Sequence, residues 1–194
     1  MRKILAFDFD GTLTTCDTLL AFIRYAKGTK AMFWGFLFHA PLLLLMKLRL
    51  YPNWKAKQHI FSYFFKGTSL EEFDDQCRQF AADNLHLLRL EGIKTLLRAK
   101  DDGADVVIVS ASIDNWVRPF FPTVTIIGTQ IEVSDNHLTG RFLTPNCYGE
   151  EKVRRLLALF PDRSTYRLIA YGDSRGDKQL LAFADEAHYK PFRL

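Results

Sequence analysis

Cysteine is scarce and falls in no paired pattern. Cys16, Cys77 and Cys147 are widely spaced and odd in number, which argues against a disulfide framework, and no two have the spacing of a thiolate metal site. Reduced thiols in a cytoplasmic protein are expected. No run of basic residues with interleaved aromatics marks a nucleic-acid groove, so no nucleic-acid partner is expected. Arg2-Lys3 precede only four apolar residues before Asp8, too few for a secretory leader. Internal repeats and low-complexity tracts are missing as well. So is an uninterrupted spanning segment: the most hydrophobic piece, residues 31–50, is broken by His39 and Pro41, and a span needs roughly 20 apolar residues.

What is present suits one core of ordinary size with a small insertion, in 194 residues that are 48% hydrophobic. The formal charge of +4 is a mild basic excess, consistent with a solvated surface or with an anionic partner. Three short apolar runs share one form: "KILAFDFD" reaching Asp8, "ADVVIVSAS" ending at Ser110, and "YRLIAYGDS" ending at Gly172-Asp173. Continuous Ile, Val, Leu and aromatic residues without alternation predict strands buried on both faces, hence a parallel sheet flanked by helices. Ligands collect beyond the carboxyl ends of such strands, and each run delivers a polar residue there.

Helical periodicity predicts helices in "EGIKTLLRAKDDG", "GEEKVRRLLALF" and "GDKQLLAFADEA", and "TQIEVSDNHLTGRFL" predicts a β-hairpin turning at Ser134-Asp135-Asn136. Between about Cys16 and Asn84 there is no buried-strand pattern. That stretch reads as a helical insertion after the first strand. The expected division is a core of residues 1–14 and 86–194 and a helical domain of 15–85. A single membrane crossing through 31–50 would put Asp8 and Asp173 on opposite sides of a bilayer. The segment is therefore expected to pack within the insertion or a dimer, with peripheral membrane contact as the second reading.

Asp8 and Asp10 sit two apart where the first strand ends, followed by Gly11, which permits a sharp turn. Two adjacent carboxylates suit a hard divalent cation, or a division between a nucleophile and a proton carrier. "GDSRGD" adds Asp173 and Asp177, so four carboxylates converge on one sheet edge, an arrangement that calls for a cation. Ser110 at a strand end and Lys152 in the first turn of a helix are candidates to hold phosphate oxygens.

In order and type these segments resemble the four motifs of the haloacid dehalogenase superfamily: "DFDGTLT", Ser110, Lys152 and "GDSRGD". The helical insertion, and Asp17 soon after the first motif, are similar to the phosphoserine-phosphatase-like subfamily. The apolar stretch 31–50 is similar to bacterial phosphatidylglycerophosphatases. The resemblance implies an α/β Rossmann-like core with a helical cap, and an Mg²⁺-dependent phosphatase acting through an aspartyl-phosphate. It makes Asp8 the nucleophile and Asp10 the acid and then base. Ser110, Lys152, Gly11 and Ala111 would bind phosphate. The metal would be held by the Asp8 carboxylate, the Asp10 carbonyl oxygen and Asp173, with Asp177 in support and Asp17 in contact with substrate. The expected substrate is a small soluble phosphorylated metabolite, and the alternative is a lipid phosphate at the inner membrane face. A phosphomutase and a non-catalytic binding module are weaker alternatives. Two departures argue against strict phosphoserine specificity: no arginine lies between Arg49 and Arg78, leaving Lys55, Lys57, His59 and Lys66, and Ala111-Ser112 stand where that subfamily has glycines.

Overall fold

The computed structural model describes residues 2–193. The three apolar runs form β1 (Arg2–Phe7), β2 (Asp105–Ile113) and β6 (Tyr166–Gly172). Helices α1 (Thr18–Phe38), α2 (Ala40–Lys47), α3 (Asn53–Phe65), α4 (Leu70–Asp83) and α5 (Leu90–Asp101) fill the chain between β1 and β2. After β2 come α6 (Asp114–Val117), β3 (Thr125–Thr129), the hairpin β4 (Ile131–Ser134) and β5 (His137–Phe142), and α7 (Glu150–Leu159); α8 (Lys178–Phe183) and β7 (Glu186–Tyr189) follow β6. The main sheet is parallel in the order β3-β2-β1-β6-β7, and β4 and β5 pair antiparallel. The chain winds outward from β1 to β2 and β3, then returns to the other side through β6 and β7. The direction reverses between β1 and β6, which is where ligands lodge in open sheets of this kind.

Three sequence expectations need correction. The third predicted helix stops at Phe183, and Glu186–Tyr189 is instead an edge strand pairing with Ile169–Gly172. Four residues on a sheet edge are too few to show a period. The second strand does not end at Ser110 but runs to Ile113, with an irregularity in its pairing to β3 between Val109 and Ile113. The hairpin turns on Asp135 and Asn136 alone, both left-handed (φ 49 and 61), while Ser134 still pairs with His137.

One face of the sheet packs Ile4, Ala6, Val107, Val109, Leu168 and Ala170 against Leu156 of α7 and Leu180 of α8. The other face carries Leu5, Phe7 and Ile108, and its apolar cluster continues through Trp116 and Phe120 into Phe22, Phe61, Phe65, Phe73 and Phe80 of the inserted helices. The insertion thus shares its core with the sheet. It is also tied to the hairpin: Gly67 donates to the Leu138 carbonyl, Leu138 to that of Thr68, and the Phe142 N–H to Gln58 Oε1 (3.0 Å).

Helix α1 is broken at Gly28 (φ 81, ψ 161), a left-handed φ that glycine adopts without steric cost. Helices α1 and α2 meet at a bend of 64°. Among the described residues no single helix is long and apolar enough to cross a membrane.

Candidate active site

Asp8 continues the pairing of β1 by one residue, its N–H donating to the Tyr171 carbonyl at 2.8 Å. Phe9–Leu13 then form a tight turn in which Asp10 is extended and Gly11 left-handed (φ 76). Glycine is required here twice over, since a Cβ at position 11 would also lie 2.5 Å from Asp173 Oδ2. Phe9 between the two aspartates is fully buried in the apolar core. Asp8 and Asp10 both line one cavity of about 560 Å³. Gly11, Asp17, Ser110, Ala111, Lys152 and Asp173 line it as well.

Lys152 is 1% exposed, and its Nζ lies 2.6 Å from Asp8 Oδ1 and 2.5 Å from Asp177 Oδ1. Burial alone would lower the lysine, but the charges of Asp8 and Asp177 raise it overall, so it stays protonated. Asp8 is pushed up to about 7 by burial, against the pull of Lys152. Asp177 goes the other way. Burial would raise it, but Lys152 and the Ser174 hydrogen bonds hold it below the usual carboxylate range. Its second oxygen accepts from the Asp173 N–H (3.1 Å), the Ser174 N–H (2.9 Å) and the Ser174 hydroxyl (2.8 Å). This buried aspartate fixes the turn after β6 and the lysine together.

Asp10 is turned toward α1 and β2. Its Oδ1 accepts from the Thr18 N–H (2.8 Å) and hydroxyl (2.6 Å), and its Oδ2 from the Ser112 hydroxyl. The Thr18 hydroxyl in turn accepts from the Trp116 indole N–H at 3.1 Å. Burial, followed by the neighbouring Asp17 charge, pushes Asp10 above the usual carboxylate range, and the Thr18 and Ser112 hydrogen bonds oppose this. A carboxyl group raised in this way is suited to holding a proton and giving it up to a leaving group.

Ser110 is buried and accepts from the Ser112 N–H at 3.0 Å. The Ala111 carbonyl accepts from Lys57 Nζ (2.6 Å) and the Thr129 hydroxyl (2.8 Å). Asp17 is exposed and caps α1, accepting from the Leu19 N–H at 3.0 Å. Four contributors were given no role in the site from sequence: Thr18, Ser112, Lys57 and Arg193. Lys57 reaches the cavity from α3, and burial lowers its pKa. Arg193 forms an ion pair with Asp173. Ser112 lies two residues from Ser110 on β2, the same-face spacing of a strand that could have found it; Lys57 is one of four basic residues between Arg49 and Arg78, with nothing to single it out, and Thr18 and Arg193 carry no local signal.

Asp8, Asp173 and Asp177 each offer a carboxylate oxygen, and these atoms lie within 4.8 Å of one another. An all-oxygen donor set, buried except for an opening to the cavity, fits a hard divalent cation such as Mg²⁺ better than a thiophilic metal.

A profile of haloacid dehalogenase-like hydrolases matches residues 5–182. The chain belongs to this family. Protein CicA of Caulobacter vibrioides is similar to this chain, 37% identical over 197 residues, covering 98% of this chain and 86% of that protein. Among solved structures, a protein of unknown function from Bordetella pertussis Tohama I superposes with a TM-score of 0.80 at 18% identity, over 95% of this chain and 87% of that one. A phosphoserine phosphatase solved as a phospho-aspartyl intermediate analogue superposes with a TM-score of 0.58 at 17% identity, over 95% and 84%. At these identities the structural likenesses establish the haloacid dehalogenase-like fold.

Proposed function

We propose that this hydrolase is a phosphatase that cleaves phosphate monoesters through a phosphorylated Asp8. One observation carries the reading. Asp8 precedes a tight turn, Asp10 lies within it, and both line one cavity, Asp8 bonded to a buried lysine and Asp10 to two hydroxyl groups. The phospho-aspartyl analogue of the structurally similar phosphoserine phosphatase supports the same chemistry.

In the first step an Asp8 carboxylate oxygen attacks phosphorus, the ester P–O bond breaks, and Asp10 gives its proton to the leaving oxygen. In the second step Asp10 takes a proton from water, the water oxygen attacks phosphorus, and the bond to Asp8 breaks to release phosphate. Ser110 and the N–H groups around Ala111 would hold phosphoryl oxygens. Lys152 would neutralise their charge while Asp177 keeps it in place. Thr18 and Ser112 aim the Asp10 carboxyl group. Mg²⁺, held by Asp8, Asp173 and the Asp10 carbonyl oxygen with Asp177 behind, would supply charge neutralisation, the main catalytic demand of phosphoryl transfer. Asp10 also separates this reading from carbon–halogen hydrolysis, which has no alkoxide to protonate.

A small soluble phosphomonoester fits the polar floor of the cavity. A lipid phosphate is the second reading, favoured by Phe36, Leu43, Met46 and Ile60 along the wall of the same cavity. The test is Mg²⁺-dependent phosphate release from an aryl phosphate, from soluble phosphomonoesters, and from phosphatidylglycerophosphate in mixed micelles. Turnover of none of the three would refute the phosphatase reading. Transfer of phosphate to a second hydroxyl, with no free phosphate, would make the enzyme a phosphomutase.

A further inference from the structure

From Thr18 to Leu70 the chain contains no aspartate or glutamate, yet it carries eight basic side chains: Arg24, Lys27, Lys30, Lys47, Arg49, Lys55, Lys57 and Lys66. The same stretch bears the largest exposed apolar side chains of the molecule. Trp34 is 64% exposed, Phe38 74% and Leu50 72%, with Phe33, Leu37, Leu44, Leu45 and Leu48 also exposed. Helix α2 has no buried residue at all. Phe33 and Trp34 meet edge to face (5.5 Å between centroids), and Phe38 stacks on exposed Tyr63 of α3 (6.0 Å), so the apolar surface passes from α1 to α3. Such a face needs a cover.

We infer that the α1–α2 bend lies on the surface of an anionic lipid bilayer, its aromatic and leucine side chains entering the interface and its lysines and arginines meeting the headgroups. Aromatic and aliphatic side chains beside a purely basic set are the composition of a helix that lies in a membrane interface. Charge selects the occupant. A second copy of this chain, docked through the same α1–α2 bend about a two-fold axis, would set Lys30, Lys47 and Arg49 against their own copies, with no acid in either stretch to pair them. An anionic bilayer supplies the opposite charge and the apolar layer at once. The same short helix serves the cavity: Leu43 and Met46 line its wall while Leu44 and Leu45, and Leu48 just after the helix, are exposed. Docking therefore places the cavity wall beside the lipid. The inference does not rest on the phosphatase reading, because docking is measured without turnover.

The experiment is vesicle flotation with full-length protein, using phosphatidylcholine with or without about one-third phosphatidylglycerol, at low and high salt. Wild-type protein is expected to float with the anionic vesicles and to lose about tenfold in partitioning at high salt or with neutral vesicles. Trp34→Ser combined with Phe38→Ser, and separately Lys30→Gln combined with Lys47→Gln, should each lower partitioning by about tenfold while aryl phosphate turnover is unchanged. Failure of the wild type to bind anionic vesicles at low salt overturns the inference. So does binding that neither variant weakens. A concentration-dependent dimer that the Trp34/Phe38 variant abolishes, without vesicle binding, would assign the face to a second copy and overturn it as well.

Discussion

At the scale of single residues, the two aspartates differ because their surroundings differ. Asp8 faces a fixed ammonium group, and Asp10 faces two hydroxyl donors. Asp8→Asn keeps the shape but removes the nucleophile, so steady-state phosphate release should fall below about 1% of wild type while thermal stability is retained. Asp10→Asn should slow alkyl phosphates by about 10²–10⁴-fold and nitrophenyl phosphate far less, because an acidic phenol hardly needs a proton. Equal loss on both substrates, in a step shown to be phosphoryl transfer, would remove Asp10 as the acid. The upward shift of Asp8 to about 7 has a further reading. A cation binds only the ionised carboxylate, so Mg²⁺ added to chelator-treated protein should release up to about one proton below pH 7 and progressively fewer above it. Calorimetry in buffers of different ionisation enthalpy measures this directly. The sign for stability follows. A raised carboxylate stabilises the metal-free fold fully below its unfolded value and loses that contribution as pH rises through 7, so the chelated protein should melt higher at pH 5.5 than at pH 8 as far as Asp8 is concerned.

At the scale of elements, the break in α1 is set by one backbone position. A Cβ at Gly28 would meet nothing within 4 Å, so Gly28→Ala carries only the cost of the left-handed φ. With ψ at 161 this is a conformation held almost only by glycine, so the substitution should destabilise the protein by about 1–3 kcal/mol in urea titration, and a stabilising result would mean that the helix straightens without penalty. The strands that position Asp8, Ser110 and Asp173 were legible in the sequence because full burial on both faces writes an unbroken apolar run. The two edge strands were not. β3 (Thr125–Thr129) and β7 are short and half covered, and they exist because a neighbouring strand offers its open side. The site showed the same division. Asp8, Asp10, Asp173 and Lys152 stand in local patterns that point to them. Thr18, Lys57 and Arg193 reach the site from α1, α3 and the C-terminal tail, through pairings of which a linear pattern holds no trace.

At the scale of the whole molecule, the inserted helices and the sheet are joined by one aromatic cluster, with Phe22 stacked on Trp116 at 5.1 Å and Phe80 edge-on to Phe120 at 5.8 Å. A shared core predicts one cooperative unfolding transition. Cys77 lies buried in α4 and Cys147 on the far side of the sheet, and burial pushes the Cys147 thiol up to about 11. Both thiols should become reactive at the same urea concentration, coincident with loss of helical circular dichroism. Earlier exposure of Cys77 would show that the helices detach first. The contact from Trp116 through Thr18 to Asp10 has a consequence of an optical kind. The chain has three tryptophans, and Trp34 and Trp54 are exposed. With those two replaced by phenylalanine, the emission of Trp116 becomes a label-free gauge of charge at Asp10, because the indole is coupled to that carboxyl group through a single hydroxyl. Stopped-flow fluorescence could then time the proton's departure and return within one turnover.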